Sequence, residues 1–590
     1  MTAPNRNTLW ACTLVEELVA AGVETACVAP GSRSTPLVVA FAEHPEIRVY
    51  SILDERSAAY FALGRGRVGE LTAVVTTSGT ATANLHPAVI EADRARVPLL
   101  VLTADRPPEL QDSGANQTVD QTKLYGDAVR WYRQVAEPAA EDRRLRSLRT
   151  TAGRAVAEAT GTPQGPVHLN LPFAKPLEPV EVPGDVPEAF DEEATLAAQG
   201  REGTYVQTTA GQPELDSVEV DALTNALESA ERPLLVAGPA DPPGIGTEGL
   251  ATLAQRLDAP LLADPLSGLR FGEHVPGSPV IGGYDAYLGH VAERWPEPDI
   301  VLRVGASPTS KPLRKYLGGV DARQFLVDPA GGWREAEFTA TDLVVADPDR
   351  LVEQLRERFD GEQDGDPQSP ADGWLDRFER AESRHWELAM SHREDLFEGG
   401  LLADVAELAP DPATVFVSNS MPVRDLDRFG KPRETALRML ANRGASGIDG
   451  ITSTALGAGS ATDEPLVLVT GDLAYYHDMN GLLSIARCGV DATIVLVNND
   501  GGGIFHMLPI ETFDPPFTGQ FKTPHGLAFE PTADLYGLEF ERAETREDFR
   551  ETFEASIADD GTQVVEVRTD AEASHRTRER LAEELADQLS

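Results

Sequence analysis

The sequence predicts an α/β protein with three doubly wound domains, each built on a parallel sheet. Short apolar segments with the length of strands alternate with amphipathic segments with the length of helices along most of the 590 residues. Two acidic, proline-rich stretches, residues 178–193 and 360–372, interrupt this alternation and have the composition of linkers. Alternating strands and helices form parallel sheets that helices cover on both faces. We therefore expect domains at residues 1–185, 186–372 and 373–590.

Each of the three blocks supplies five strand candidates. In the first block, strands are predicted at residues 25–30, 48–53, 71–77, 98–104 and 165–172, with helices after Ser34, Glu55, Ser78 and Glu141. In the second block, strands are predicted at residues 233–238, 259–264, 299–305, 324–328 and 343–347. In the third block, they are predicted at residues 414–419, 437–443, 465–472, 492–499 and 563–569.

The charge of the chain excludes some classes of partner. Acidic residues number 96 and basic residues 51, which gives a net charge of −45 spread over the whole sequence. Such an excess of negative charge repels nucleic acid and anionic membranes. It favours a halophilic protein, adapted to molar salt that screens repulsion within about 3 Å, over ordinary acidity with a codon bias towards arginine. The sequence shows neither a long apolar stretch nor a secretion signal, so we expect a cytoplasmic protein.

Polar side chains follow two neighbouring predicted strands in the segment Val469–Ile504. One strand ends at Asp472, a helical segment is predicted from about residue 476 to 487, and Asn499 comes directly after the next strand. The carboxyl ends of adjacent parallel strands meet at the edge where such sheets bind ligands. Oxygens from Asp472, Asn499, the Gly501 carbonyl and a bound diphosphate are the hard ligands that Mg²⁺ prefers. The segment therefore predicts a metal and diphosphate site; the alternative is an ordinary βαβ unit with a polar turn.

This segment resembles the diphosphate-binding signature of thiamine-diphosphate enzymes. That signature begins Gly-Asp-Gly and ends Asn-Asn after the following strand; here Gly471 and Asp472 are followed by Leu473 in place of the last glycine. The resemblance implies thiamine diphosphate as cofactor, with Mg²⁺ or Mn²⁺ held by Asp472, Asn499 and Gly501. It also implies the thiamine-diphosphate-binding fold, with a pyrimidine-binding first domain, a Rossmann-like central domain and a diphosphate-binding third domain.

A Gly-x-Gly-x-x-Gly match at residues 64–69 does not predict a dinucleotide site. It follows the helical segment at residues 55–63 and precedes the strand at 71–77. The dinucleotide fingerprint instead follows a strand and opens a helix. We interpret the match as the end of a helix and a loop.

Glu55 follows a predicted strand and begins a predicted helix. From its position alone, Glu55 is an acid in the first turn, where the helix dipole favours a carboxylate. In thiamine-diphosphate enzymes a glutamate at this place bonds to N1′ of the aminopyrimidine and promotes the tautomer that removes the C2 proton. The resemblance therefore implies that Glu55 is the catalytic residue.

Six longer motifs resemble one family of these enzymes, the 2-succinyl-5-enolpyruvyl-6-hydroxy-3-cyclohexene-1-carboxylate synthases (MenD) of menaquinone biosynthesis. The motifs lie at residues 29–37, 77–92, 102–110, 114–118, 418–427 and 441–450. This resemblance implies a transferase that decarboxylates 2-oxoglutarate and adds the succinyl carbanion equivalent to isochorismate by a 1,4-addition. Arginines within these motifs suit substrates that carry several carboxylates.

The resemblance also implies a role for individual residues. Those implied to face isochorismate are Ser32, Arg33, Arg106, Asn116 and Gln117. Those implied to hold the succinyl carboxylate are Ser420, Arg424 and Arg443, with Lys311 also on the substrate side, beside Pro312 where some relatives carry a second basic residue. Besides Glu55, cofactor contacts are implied for Thr77, Gly79, Ser420, Ile448, Gly471, Asp472, Leu473, Asn499, Gly501, Gly502, Ile504 and Phe505, with Ile448 beneath the bent cofactor.

Two other functions remain open at this point. One is another thiamine-diphosphate-dependent 2-oxo acid decarboxylase or carboligase, and the other is a noncatalytic α/β binding protein. The presence of Glu55, Asp472 and Asn499 disfavours the noncatalytic alternative. The resemblance further implies a homo-oligomer, either a dimer or a tetramer, whose active sites are shared between subunits.

Overall fold

The computed structural model describes residues 3–361, 373–392 and 394–589. It contains three six-stranded sheets, and every strand pairing within them that the described residues show is parallel. The predicted fold class is therefore confirmed, whereas the predicted domain bounds stay predictions. None of the described helices is both long and apolar enough to cross a membrane.

The first sheet has the strand order β2-β1-β3-β4-β6-β5. Its strands are β1 (Thr25–Val28), β2 (Arg48–Ser51), β3 (Thr72–Thr76), β4 (Leu99–Asp105), β5 (Trp131–Gln134) and β6 (Pro166–Pro172). The accompanying helices are α1 (Arg6–Ala20), α2 (Thr35–Glu43), α3 (Glu55–Arg67), α4 (Thr80–Ala83), α5 (His86–Arg94), α6 (Asp142–Thr160), α7 (Phe190–Glu193) and α8 (Thr195–Gln199). Apolar side chains of α1, α2 and α6 form one buried core with the sheet.

The second sheet has the strand order β12-β11-β10-β7-β8-β9. Its strands are β7 (Pro233–Ala237), β8 (Leu261–Ala263), β9 (Val280–Ile281), β10 (Ile300–Val304), β11 (Arg323–Val327) and β12 (Asp342–Val344). The helices around it are α9 (Ser217–Glu228), α10 (Thr247–Arg256), α11 (Tyr284–Val291), α12 (Lys311–Gly319), α13 (Pro348–Gly361) and α14 (Trp374–Ser391). Leu234 and Leu235 of β7 belong to two different cores, because successive side chains of a strand point to opposite faces.

The third sheet has the strand order β14-β13-β15-β16-β18-β17. Its strands are β13 (Ala413–Val417), β14 (Leu437–Leu440), β15 (Leu466–Gly471), β16 (Thr493–Asn498), β17 (Glu539–Ala543) and β18 (Gln563–Arg568). The helices in this part of the chain are α15 (Glu398–Leu408), α16 (Met421–Phe429), α17 (Ile451–Gly459), α18 (Asp472–His477), α19 (Leu483–Cys488), α20 (Glu530–Tyr536), α21 (Arg546–Ala558) and α22 (Ala571–Gln588). Of these, α17 and α19 belong to the first of the two compact units described below. The single crossover helix predicted at residues 476–487 is instead two short helices, α18 and α19, joined by a 3-10 turn at Met479–Leu482.

The chain divides into two compact units. The first unit comprises Met1–Ala210, Asn442–Asp463 and His477–Val490, and so contains the first sheet. The second comprises Gly211–Ala441, Glu464–Tyr476 and Asp491–Ser590, and contains the second and third sheets.

The interpretation of residues 64–69 as a helix end and loop was wrong in part, because α3 continues to Arg67. A Cβ atom at Gly64 would lie 2.0 Å from the carbonyl oxygen of Thr454 in α17. A Cβ atom at Gly457 of α17 would lie 1.9 Å from the carbonyl oxygen of Phe61 in α3. These glycines therefore allow the backbones of α3 and α17 to pack directly against each other within the first unit.

The first predicted linker, residues 178–193, is packed on the first sheet. The acidic stretch carries isolated apolar side chains, and two of them, Val186 and Phe190, are buried in the same core as α1 and α6. The second predicted linker, residues 360–372, lies outside the described residues apart from the end of α13 at Gly361.

Candidate functional site

Asp472 and Asn499 lie at the carboxyl ends of β15 and β16, which are adjacent strands. Asp472 begins α18 and Asn499 directly follows β16. The Asp472 carboxylate accepts hydrogen bonds from the backbone N–H of Asn499 at 3.2 Å and from that of Gly501 at 3.0 Å. The fold thus brings the three predicted metal ligands together at one edge of the third sheet.

The side chain of Asn499 is oriented by a buried acidic residue. Its amide nitrogen donates to the Glu398 carboxylate at 2.7 Å, and Glu398 is itself paired with Arg578 at 2.5 Å. The amide oxygen of Asn499 is buried and has no hydrogen-bond partner among the described residues. A buried acceptor without a partner costs about 1–3 kcal/mol, so a cation at this oxygen would remove a penalty that the fold otherwise carries.

The glycines after Asn499 form a tight backbone turn. Gly501 has a φ of 136°, and a Cβ atom there would lie 2.0 Å from the carbonyl oxygen of Lys522. The N–H of Gly502 donates to that same carbonyl at 2.7 Å. At Gly471, in contrast, a Cβ atom would meet no atom within 4 Å, so the end of β15 borders open space. This open edge and the unpartnered oxygen of Asn499 fit a divalent metal bound with a diphosphate.

His525 also belongs to this site, although no sequence pattern indicated it. Its Nε2 lies 3.2 Å from the Asp472 carboxylate, and its Nδ1 lies 3.4 Å from that of Asp500. Burial raises the pKa of Asp472, while hydrogen bonds from the Gly501 N–H and His525 lower it in part. His525 reaches the site from a loop far along the chain, which is why spacing along the sequence could not reveal it.

Three of the apolar residues predicted to contact the cofactor follow the ends of β15 and β16 along the chain. The N–H of Leu473 donates to Asp472 at 2.6 Å. Ile504 and Phe505 lie in a 3-10 turn at Gly503–Met507, directly after the glycine turn.

Glu55 lies at the start of α3 in the first unit. Asp54 caps the helix by accepting hydrogen bonds from the N–H groups of Arg56 and Ser57. Glu55 is half-buried, and its carboxylate accepts a hydrogen bond from Asn84 at 3.2 Å. The carboxylate is therefore held at the carboxyl edge of the first sheet, as its place after β2 led us to expect.

Arg33 and Thr77 contact each other at the same edge of the first sheet. The N–H of Arg33 donates to the Thr77 hydroxyl at 3.1 Å, and its guanidinium donates to the carbonyl of Phe173 at 2.6 Å. Burial lowers the pKa of Arg33, and the nearby charge of Arg106 lowers it further. The Nε of Arg33 is buried without a hydrogen-bond partner in the described chain, so Arg33 retains a donor for an anion.

The remaining residues predicted to face isochorismate lie next to the turn after β3. The Ser78 hydroxyl donates to the backbone carbonyl of Gln117 at 3.0 Å, and the side-chain amide of Gln117 donates to the backbone carbonyl of Ser78 at 3.0 Å. Arg106 donates to the carbonyl of Asn116 at 2.8 Å. Ser32, Asn116 and Gln117 are exposed.

A buried polar network supports this turn. The N–H of Gly79, which has a φ of 89°, donates to Gln121 at 3.1 Å, and Gln121 donates to Asn170 at 2.9 Å. Asn170 donates to Asp105 at 2.8 Å, and Asp105 accepts from the N–H of Arg106 at 2.7 Å. Gln121 and Asn170, which sequence reasoning missed, thus connect the predicted cofactor turn to the predicted substrate arginine.

Arg443 and Ile448 lie in the loop before α17, in the first unit, and both are half-buried. Glu91 of α5 holds this loop by accepting hydrogen bonds from the N–H groups of Gly444 at 2.8 Å and Ala445 at 2.6 Å. Further along the loop, the hydroxyl of Tyr60 donates to Asp449 at 2.8 Å.

A cavity of about 910 Å³ lies in the second unit and brings together three predicted site residues, Lys311, Arg424 and Ile504. Arg424 donates to the backbone carbonyl of Ser420. Ser420 has a φ of 73°, an unusual value for a residue other than glycine, at the sharp turn between β13 and α16. The predicted carboxylate-binding residues of the second unit therefore line or adjoin one cavity.

The chain matches two family models of thiamine pyrophosphate enzymes. The N-terminal TPP-binding domain model matches residues 10–124, and the C-terminal TPP-binding domain model matches residues 426–567. Among solved structures, the thiamine diphosphate-dependent 4-hydroxybenzoylformate decarboxylase of Rhodococcus jostii has a TM-score of 0.69 and 22% identity, covering 95% of this chain and 99% of that one. At this identity the likeness shows the fold alone, and it agrees with the three parallel sheets.

Full-length relatives show a more specific likeness. The chain is 62% identical to the 2-succinyl-5-enolpyruvyl-6-hydroxy-3-cyclohexene-1-carboxylate synthase of Haloarcula marismortui, with 100% of each chain covered. It is 61% identical to that of Halobacterium salinarum, with 99% of each covered, and 48% identical to that of Roseiflexus castenholzii, with 96% of this chain and 97% of that one covered. The two haloarchaeal relatives support the prediction of a halophilic protein. The chain belongs to the family of 2-succinyl-5-enolpyruvyl-6-hydroxy-3-cyclohexene-1-carboxylate synthases, within the thiamine pyrophosphate enzymes.

Proposed function

We propose that the chain decarboxylates 2-oxoglutarate and adds the succinyl unit to isochorismate, giving 2-succinyl-5-enolpyruvyl-6-hydroxy-3-cyclohexene-1-carboxylate. The observation that carries this proposal is the convergence of Asp472, Asn499 and Gly501, with an unpartnered oxygen at Asn499, in a chain that is 62% identical to a named synthase over its full length. Thiamine diphosphate, when bound, supplies the electron sink that the loss of carbon dioxide requires. The protein then has to bind and orient the cofactor and the substrates and to exchange protons with them.

In this proposal, the third sheet holds the charged end of the cofactor. Asp472, Asn499 and the carbonyl of Gly501 would hold Mg²⁺ or Mn²⁺, and Gly471 and Gly502 would contact the diphosphate. Leu473, Ile504 and Phe505 would add apolar contacts to the cofactor, and Ser420 would also contact it.

The first unit holds the aminopyrimidine in this proposal. Glu55 would hold a proton at N1′, and Thr77 and Gly79 would contact the ring. Ile448 would support the cofactor through an apolar contact.

The arginines divide between the two substrates in this proposal. Ser32, Arg33, Arg106, Asn116 and Gln117 face isochorismate. Ser420, Arg424, Arg443 and Lys311 face 2-oxoglutarate. The buried, unpartnered Nε of Arg33 supports the first assignment, because a substrate carboxylate would supply the acceptor that the fold leaves out.

An assay with both substrates tests the proposed reaction. Protein purified in molar KCl should form product only when 2-oxoglutarate, isochorismate, thiamine diphosphate and Mg²⁺ or Mn²⁺ are all present. Turnover of another 2-oxo acid or acceptor in preference to these two would favour a different carboligase. Cofactor binding without turnover of any substrate would favour a noncatalytic protein.

Replacement of Asp472 tests the metal site. Asp472→Ala should abolish the metal-dependent part of cofactor binding, measured by calorimetry with and without Mg²⁺. Asp534→Ala, which removes an exposed carboxylate of α20 in the same unit, should bind like the wild type. Unchanged cofactor affinity in Asp472→Ala would contradict the assignment of the site.

A further inference from the structure

The face of α12 that lines the cavity of the second unit is basic. Leu313 and Leu317 are buried on the opposite face of this helix, and Tyr316, which is also buried, is part of the cavity lining. Lys311, Arg314 and Lys315 are spaced three and four residues apart along the other face, as residues on one side of a helix are, and all three line the cavity.

Arg314 differs from its two lysine neighbours in burial. Lys311 and Lys315 are exposed, whereas Arg314 is half-buried. Its Nε is shielded from solvent and has no hydrogen-bond partner within the described ranges. A shielded donor of a permanently charged group is costly unless an acceptor is supplied. An anion bound beside Arg314 would supply this missing acceptor.

The three aspartates of the cavity wall are already paired with other groups. Asp285 accepts from Arg428 at 2.7 Å and from the hydroxyl of Ser310 at 2.6 Å. The other two aspartates of the wall are also paired: Asp425 with Arg578 at 2.6 Å and Asp427 with Arg270 at 2.9 Å. Glu293 and Glu297 of the wall are exposed. In a chain of net charge −45, this cavity thus keeps a local excess of positive charge on α12.

The opposite wall of the cavity carries Arg424, which is already assigned to 2-oxoglutarate. Arg424 of α16 lines the same cavity, and Ile504, Met507 and Leu508 add an apolar surface. A short dicarboxylic acid combines an apolar carbon chain with two anionic ends, and this combination matches the lining.

We propose that Arg314 binds the distal carboxylate of the 2-oxo dicarboxylic acid substrate and so selects dicarboxylates over monocarboxylates. This inference rests on the proposed function for the identity of the substrate. Pro312 has neither a charged side chain nor a backbone N–H to offer an anion, and Arg314 presents a guanidinium about half a turn further along the same helix.

Kinetics of Arg314→Gln test this role. The KM for 2-oxoglutarate should rise by about 10- to 100-fold, as expected for a lost hydrogen bond to a charged group, while the KM for isochorismate stays unchanged. Arg314→Lys, which keeps the charge, should recover part of the affinity. Arg323→Gln is the matched control, because it removes an exposed arginine of the same unit that pairs with Asp342 outside the cavity. An unchanged KM for 2-oxoglutarate, or an equal loss for both substrates, would overturn the inference.

A binding measurement separates this inference from the proposed reaction. Calorimetry of the cofactor-free protein in KCl should show tighter binding of glutarate than of butyrate, and Arg314→Gln should abolish that preference while its thermal unfolding matches the wild type. If the wild type forms no product but keeps an Arg314-dependent preference for glutarate, the proposed function fails and the carboxylate site stands. If product forms and the wild type shows no preference for glutarate, the inference about Arg314 fails and the function stands.

Discussion

Buried polar atoms without a partner occur at many places in the described chain, and some of them belong to residues to which we assign a ligand. Arg33, Arg314 and Asn499 each carry one buried polar atom that has no partner among the described residues. Such atoms cost about 1–3 kcal/mol each in the free protein. Two are donors on arginines, and an anionic substrate would supply an acceptor for each. The third is an acceptor beside Asp472, where a cation would bind.

Replacement of Glu55 tests proton transfer at residue scale. Glu55→Gln keeps the shape of the side chain but cannot stabilise a proton on N1′. Exchange of the C2 proton of bound thiamine diphosphate for deuterium, followed by NMR, should therefore slow by about 10²- to 10⁴-fold, while the affinity for the cofactor changes little. Glu46→Gln, at an exposed loop position, should exchange at the wild-type rate. A wild-type rate in Glu55→Gln would remove Glu55 from the mechanism.

Asp478 should make the stability of the chain depend on pH. Its side chain is fully buried and accepts a hydrogen bond from the N–H of Ser453 at 2.7 Å. Burial raises the pKa of Asp478 from 3.8 to about 6. The folded protein therefore keeps this proton at pH values where the unfolded chain has released it. The contribution of Asp478 to the free energy of unfolding should fall by about 3 kcal/mol as the pH rises from about 4 to about 6.

Urea unfolding in molar KCl measures this effect. Asp478→Asn lacks the titrating group, so its stability relative to the wild type should increase across that pH window and stay constant above it. Asp491→Asn, at an exposed position, should show a constant difference. A constant difference for Asp478→Asn as well would show that burial does not shift its pKa.

At the scale of elements, the contact between α3 and α17 requires glycine. Gly64→Ala would place a methyl group 2.0 Å from the carbonyl oxygen of Thr454, which no side-chain movement can relieve. We expect a loss of at least about 1–3 kcal/mol in the free energy of unfolding. Gly153→Ala in α6 is the matched control: its Cβ would meet atoms no nearer than 3.8 Å, so it should stabilise the helix by about 1 kcal/mol. Equal effects of the two substitutions would contradict the tight contact.

The strands that the sequence did not predict share a position in the fold. β5, β9 and β17 each lie at an edge of one of the three sheets. β5 and β17 are largely exposed, and β9 has only two residues. Because an edge strand is covered less than a central one, it does not need the continuous apolar run by which the central strands were recognised. The other fifteen strands, including the opposite edges β2, β12 and β14, carry apolar runs in the sequence and could be predicted, whereas these three could not.

The candidate site could likewise be predicted only in part. Asp472 and Asn499 follow central strands, so the rule that parallel strands end at one edge was enough to predict that they lie together. Glu398 and His525 contact them from a helix start and a loop that no short-range pattern connects to the motif. Contacts between distant segments are set by tertiary packing, and local sequence does not encode them.

At the scale of the whole molecule, charge and assembly are coupled. A net charge of −45 per chain opposes association of protomers. The screening length falls from about 8 Å at physiological ionic strength to about 3 Å at 1 M salt. If the homo-oligomer that the family resemblance implies is required for the site, activity and assembly should both disappear on dialysis to low salt and return in molar KCl.

Mixing of two inactive variants tests whether subunits share active sites, as the family resemblance implies. In a mixed dimer of Glu55→Gln and Asp472→Ala, a shared arrangement gives one site with both defects and one site with neither. Random reassembly from low salt into molar KCl should therefore restore about a quarter of the wild-type activity, since half of the dimers are mixed and half of their sites are intact. Each variant dialysed alone is the control and should stay inactive. Light scattering alongside the assay reports the oligomeric state. A fully active monomer at low salt would contradict both the shared site and the halophilic adaptation, whereas oligomers that reassemble without any activity would place Glu55 and Asp472 of each site in the same chain.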